Sequence, residues 1–224
     1  MGIAVRYNSD ASRQAAEESA KAIEVIGAEA IVFQGHPDQR RREQMAVLGS
    51  EPPPPLGSID VAINTFGQVL RKSASETPEE EFDPMSAVNN KSAYFLIKQA
   101  CIHLVGEGNL LTIVTSLLGA FAPRYSTYGG AKAPVEHCTR VAEKEFAERG
   151  ISVNAVGPWP VDIPFFYCQE PDETTAFHKS MTALSAFSSI GLIENIAPFV
   201  RFIVTEGWWM TGQTILINGG HTTK

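Results

Sequence analysis

The sequence predicts an α/β fold in which a mostly parallel sheet lies between two helical layers. Three observations carry that expectation. Short strand-like runs alternate with longer runs of helical period, two of the strand runs are apolar almost without a break, and polar residues gather where those runs end. The 224 residues, 44% apolar and 19% charged, suit a single globular domain with a core of its own.

GIAVRY (Gly2 to Tyr7) reads as the first strand. Ala16, Ser19, Ala20, Ile23 and Ile26 then share one helical face that Gly27 closes, and EAIVFQ (Glu29 to Gln34) is the next strand. A short helix is expected from Asp38 to Leu48. It is stopped by SEPPPPLGS, a loop because its prolines cannot donate hydrogen bonds. IDVAINTF (Ile59 to Phe66) has the pattern of a strand buried on both faces, Pro84 to about Val105 that of a helix, and NLLTIVTS (Asn109 to Ser116) that of a second buried strand. Ala131, Val135, Cys138, Ala142 and Phe146 recur at steps of three and four, with Glu136, Arg140, Glu143 and Lys144 elsewhere on the turn. That is an amphipathic helix ending at Gly150. ISVNAVGP (Ile151 to Pro158) is a strand, Ile193 to Thr205 a helix, and TILINGG (Thr214 to Gly220) a final short strand; there are no internal repeats.

Composition excludes several classes of function. A net charge of -7 is the wrong sign for a nucleic-acid surface, and Arg40, Arg41 and Arg42 read as a solvated helix face. Cys101, Cys138 and Cys168 are odd in number and widely spaced, as expected of reduced thiols in the cytoplasm. His36, His103, His137, His178 and His221 are too scattered for a zinc site on one helix. No apolar run approaches the roughly 20 residues of a membrane helix, and MGIAVRYNSD is not a signal peptide.

In open α/β sheets, ligands bind beyond the carboxyl ends of the strands, where Asn64 and Ser116 stand. Tyr128 and Lys132 follow at i and i+4 of one helix, separated by Gly129, Gly130 and Ala131, small residues that let something flat lie against the turn. A lysine ammonium beside a phenol favours the phenolate and prepares a tyrosine for proton transfer. A serine hydroxyl opposite can hold a carbonyl oxygen, and an asparagine on the neighbouring helix a water in the proton path.

With those residues in place the chain resembles the short-chain dehydrogenase/reductase family from Gly2 to the C-terminus. The serine signature is TSLLG with Ser116, Y-x-x-x-K is Tyr128 to Lys132, and VNNKS supplies Asn89. Asn64 to Gly67 stand for the central N-N-A-G strand end, and GISVNAVGP and TGQTILINGG resemble the two closing segments. The resemblance implies a Rossmann-like, doubly wound, three-layer α/β/α fold. It also implies interconversion of a carbonyl and a secondary alcohol, with Tyr128 as proton donor or acceptor, Lys132 as its pKa partner and ribose ligand, Ser116 orienting the carbonyl and Asn89 holding water. NADP(H) is the expected cofactor, because Asn8, Ser9 and Arg13 stand where NAD-preferring members carry an acidic residue, although Asp10 is close by. Asn64, Gly67 and Pro158 complete the implied cofactor contacts. A homodimer or homotetramer acting on a small molecule, with no nucleic-acid or membrane partner, is implied as well.

The sequence departs from that pattern in several places. The Gly-rich cofactor turn and its strand and helix precede anything present here, and a truncated start is the expectation. Residues 1–37 are then a strand-helix-strand unit and 59–224 the catalytic core of one domain, and either the two halves of the sheet close up, or the first unit is displaced, or another chain fills the slot. Trp159 stands where the family has glycine, Ile163 where it has threonine and Phe66 where it has alanine. Ser116 lies twelve positions before Tyr128, one fewer than expected, which makes Thr115 the alternative. Two other readings keep the fold without redox chemistry: an acid-base enzyme using Tyr128 and Ser116, and a non-catalytic subunit of an assembly.

Overall fold

The computed structural model describes residues 2–7, 9–34, 58–167, 183, 187 and 190–222. The expected helix at Asp38 to Leu48 and the prolines after it lie outside the described residues, as do Asn8, His36, the three consecutive arginines, Cys168 and His178. The chain divides into two compact units, Met1–Ile59 and Asp60–Lys224.

The first unit is a parallel strand-helix-strand motif of β1 (Gly2–Tyr7), α1 (Asp10–Val25) and β2 (Glu29–Gln34), with Gly2 opposite Glu29 and Tyr7 opposite Gln34. Ser9 caps α1 in an extended conformation, its backbone N–H donating to Ser12 Oγ at 3.2 Å. Asp10 in the first turn complements the helix dipole. Ala16 and Ala20 are the buried positions of the predicted face, and Gly27 turns the chain at φ +84.

The second unit carries a four-stranded sheet in the order β3-β4-β5-β6, from β3 (Ile59–Asn64), β4 (Leu104–Ile113), β5 (Ser152–Pro158) and β6 (Thr214–Ile217). The pairs β4–β5 and β5–β6 are parallel. Before β4 run α2 (Glu79–Ser86), a π-helical turn (Ala87–Lys91) and α3 (Ser92–His103); α4 (Ser126–Phe146), α5 (Pro164–Tyr167) and α6 (Ile193–Thr205) complete the unit. The first six residues of β5 are all buried, the consequence of a strand flanked on both edges and covered on both faces. Leu111, Val156 and Ile203 form the core where α6 meets the sheet, each worth roughly 1.5–3 kcal/mol of transfer free energy. Asn154 is 1% exposed within β5. Its Nδ2 donates to Ser152 Oγ and to Met210 O, and its Oδ1 accepts from Gln213 N–H, so one side chain ties β5 to the segment that enters β6.

Several boundaries differ from the sequence expectation, each for a local reason. The helix expected from Pro84 starts earlier, where Glu79, Glu80 and Glu81 favour a helix N-terminus. It ends at His103, because Leu104 is already extended. The strand expected at Asn109 to Ser116 is Leu104–Ile113, displaced toward the N-terminus by the approach of β3: a Cβ on Gly108 would stand 3.1 Å from Asp60 O. Ser116 therefore belongs to a 3-10 turn (Ser116–Leu118) capped by Thr115. The final strand stops at Ile217, since Gly219 and Gly220 take φ of +60 and +80. β3 is not buried on both faces. Val61 and Ile63 remain 37% and 43% exposed, because β3 ends the sheet order and the side that these two residues share is left open.

Candidate active site

The second unit brings Asn89, Thr115, Ser116, Tyr128 and Lys132 to the carboxyl ends of β3, β4 and β5. Tyr128 lies in the first turn of α4, and its ring packs with Val69 and Met85 while it also lines a cavity of about 160 Å3. Thr115, Leu117, Pro158, Trp159, Phe165 and Phe166 are among the other walls, so the cavity is apolar apart from a few hydroxyls. Burial pushes the Tyr128 phenol up to about 12, and a hydrogen bond with the Thr115 side chain acts in the opposite direction.

Lys132, one turn further along α4, is 3% exposed. Its Nζ donates to Phe66 O at 2.9 Å and to Ile113 O at 3.0 Å, which bridges the ends of β3 and β4. Burial lowers this ammonium to about 8. Burial first and the Thr115 side chain second are the influences on the Tyr128 phenol. The ammonium itself is engaged by those two carbonyls.

Asn89 sits in the π-helical turn and is fully buried. Its Nδ2 donates to Gln68 O at 2.8 Å and Met85 O at 3.0 Å, and its Oδ1 accepts from Gln68 N–H at 3.1 Å. Those bonds hold the loop after β3, and π turns of this kind are frequent at functional sites. Ser116 is 0% exposed and donates its hydroxyl proton to Gly157 O at 2.7 Å. It is absent from the cavity wall, whereas Thr115 is on it.

The implied cofactor contacts fall in both units. Ser9 caps α1, and Arg13 forms an exposed ion pair with Glu17 at 2.8 Å in the first unit. In the second, Asn64 Oδ1 accepts from Phe66 N–H, while its buried Nδ2 has no hydrogen-bond partner among the described residues. A Cβ on Gly67 would come 3.5 Å from Lys132 Nζ, Asn89 Oδ1 and Phe165 Cζ, so the missing side chain leaves space directly over the ammonium. Pro158 ends β5 at the cavity, beside Ile163.

Sequence reasoning missed the two carbonyls that hold Lys132, which no residue type encodes. It also passed over Gly157, whose place inside a strand signals close approach of another backbone. A Cβ there would meet Thr115 O at 2.9 Å and Leu216 Cδ2 at 2.6 Å. Trp159 is 6% exposed and stacks on His221 at 3.6 Å, so the indole that replaces the family's glycine occupies the cavity wall. Of the aromatic residues expected to line a pocket, Phe165 and Phe166 do so. Tyr167 instead donates to Asp162 at 2.8 Å, and Trp208 and Trp209 are exposed and pack edge to face on each other. Among the described residues no helix is long and apolar enough to cross a membrane.

Comparison with known proteins bears on this geometry. A family model described as enoyl-(acyl carrier protein) reductase matches residues 1–222. A short-chain type dehydrogenase/reductase of Picea abies is 29% identical over 97% of this chain and 82% of its own length. The short chain dehydrogenase mdpC of Emericella nidulans is 27% identical over 98% and 86%. Among solved structures, a Burkholderia cenocepacia protein named as a dehydrogenase and crystallised with bound NADP is 52% identical, with a TM-score of 0.90 over 100% of this chain and 84% of its own. The angucycline C-6 ketoreductase LanV, also with bound NADP, is 25% identical, with a TM-score of 0.84 over 98% and 85%. The chain belongs to the short-chain dehydrogenase/reductase family of oxidoreductases.

Proposed function

We propose that this protein interconverts a carbonyl and a secondary alcohol with NADP(H), using Tyr128 as the group that gives or takes the proton. One observation carries the reading: Tyr128 stands in the wall of an apolar cavity at the strand ends, with Lys132 one helical turn away. A phenol kept protonated by burial can give its proton in an otherwise dry site.

The residues present fit the ribose and nicotinamide end of such a cofactor. Two of the three N–H groups of Lys132 are spent on carbonyls, so one is left to donate to a ribose hydroxyl. The unpaired Nδ2 of Asn64 is a second donor, and Gly67 leaves room above them. When bound, the dinucleotide supplies or accepts the hydride at the carbonyl carbon. Tyr128 delivers a proton to the carbonyl oxygen, and the apolar wall excludes water. Asn89 positions the loop after β3 through two hydrogen bonds to Gln68 and ties it to α2 through a third, to Met85 O. The NADP found in the two solved relatives supports the preference expected from Ser9 and Arg13. Exposed Tyr94 and Ile102 on α3 and Val141 on α4 support a homo-oligomer, and the free thiols a cytoplasmic setting, with light scattering as the check on assembly.

Titration with NADPH, followed by thermal shift, tests the reading. Stabilisation at micromolar concentration is expected, and no shift up to millimolar would sink it. Loss of phenanthrenequinone-dependent NADPH oxidation in Tyr128→Phe, with the thermal shift retained, then assigns the proton to Tyr128.

A further inference from the structure

We infer that Thr115, and not Ser116 of the serine signature, is the hydroxyl that acts with Tyr128 on the substrate oxygen; this rests on the carbonyl-reducing reading above. The two residues are adjacent, yet the fold separates their side chains completely. Thr115 lines the cavity that Tyr128 lines, and its side chain draws the phenol pKa downward against burial. Ser116 lies off that wall with no exposed surface, and its single hydroxyl proton is given to Gly157 O at 2.7 Å. To reach a substrate, Ser116 would have to give up its hydrogen bond to that buried carbonyl.

The backbone fixes this division of roles. Thr115 is extended, at φ -152 and ψ 148, and caps the 3-10 turn, its Oγ1 accepting from Leu117 N–H at 3.3 Å. That bond uses an oxygen lone pair and keeps the Thr115 O–H proton for donation. From behind, β5 packs closely on the segment: the Cβ position of Gly157 is 2.9 Å from Thr115 O. The spacing agrees, since Thr115 lies thirteen positions before Tyr128 and Ser116 twelve.

In reduction the carbonyl carbon gains a hydride with its electron pair, and the C=O π pair moves to oxygen. That oxygen takes the Tyr128 proton. Thr115 donates a hydrogen bond to the oxygen as its charge develops and to the phenolate once the proton has left. Oxidation of the alcohol runs through the same groups in reverse.

The test compares Thr115→Val, Thr115→Ala, Thr115→Ser and Ser116→Ala in the full chain, with NADPH and phenanthrenequinone for activity and with tyrosines labelled at 13Cζ. The Tyr128 signal is assigned by its absence from Tyr128→Phe, and melting temperature reports folding. Thr115→Val or Thr115→Ala is expected to lose about 100-fold in kcat/KM, the scale of one donor lost at a developing oxyanion. Both should also shift the Tyr128 signal. Thr115→Ser should keep activity within about fivefold, and Ser116→Ala should leave the Tyr128 signal in place. A 100-fold loss in a folded Ser116→Ala with Thr115→Val near the parent would overturn the assignment. If the parent oxidises no NADPH, the carbonyl-reducing reading fails, and the 13C signal alone decides the pairing: a shift on loss of the Thr115 hydroxyl upholds it, and an unmoved signal refutes it.

Discussion

Replacing Lys132 by Met tests the electrostatics of the site through stability alone. Lys132 is 3% exposed and titrates near 8 in the folded chain, against 10.5 for an ordinary lysine. Between these values the unfolded chain holds a proton on Lys132 that the folded chain has released, so stability rises with pH across that window. The full difference of 2.5 pH units corresponds to about 3 kcal/mol. Tyr128 works in the opposite direction, but only from about 10 to about 12, where the unfolded phenol ionises and the buried one does not. The interval from pH 8 to 10 avoids that contribution, and subtracting the variant removes those of Cys101 and Cys138, whose thiols burial pushes up. Urea denaturation followed by tryptophan fluorescence is the assay, since Trp159, Trp208 and Trp209 all lie in the unit that holds Lys132. The stability of the parent minus that of Lys132→Met should climb by roughly 2–3 kcal/mol over those two pH units. A flat difference would mean that the ammonium keeps its charge in the fold, and the burial argument would be wrong. The absolute value at pH 7 is less informative, because the variant gains by removing a buried charge and loses by abandoning Phe66 O and Ile113 O.

Other expectations follow from single contacts. Tyr128→Phe should lower kcat by roughly 100- to 10,000-fold while the melting temperature changes little, because the ring keeps its packing with Val69 and Met85; this is read by paired kinetics and thermal shift. Gly157→Ala should destabilise by about 1–3 kcal/mol in urea melts, since the new methyl meets Thr115 O at 2.9 Å and Leu216 Cδ2 at 2.6 Å, and activity should fall with it as Thr115 is displaced. Asn154→Ala should cost about 2–4 kcal/mol by the same assay, because Met210 O and Gln213 N–H lose their partner inside the core.

The sequence made the plan of the fold legible wherever local chemistry agrees with tertiary packing. GIAVRY, EAIVFQ and ISVNAVGP are strands to within a residue, and α6 spans Ile193–Thr205, the bounds expected from the sequence. Tyr128 and Lys132 were visible because their spacing on one helix is a local property, and helix geometry converts it directly into proximity along α4. What the sequence could not show was where each polar head turns. That depends on carbonyls distant in the chain: Phe66 O and Ile113 O for Lys132, Gln68 O and Met85 O for Asn89, and Gly157 O for Ser116. Backbone groups carry no residue-type signature, so only the folded chain decides which of them meets a given side chain. The clearest case is TSLLG, where the motif points to its serine. The end of β4 turns that serine onto β5 and leaves Thr115 on the cavity wall, because consecutive side chains of extended backbone point to opposite sides and Gly157 lets β5 approach closely.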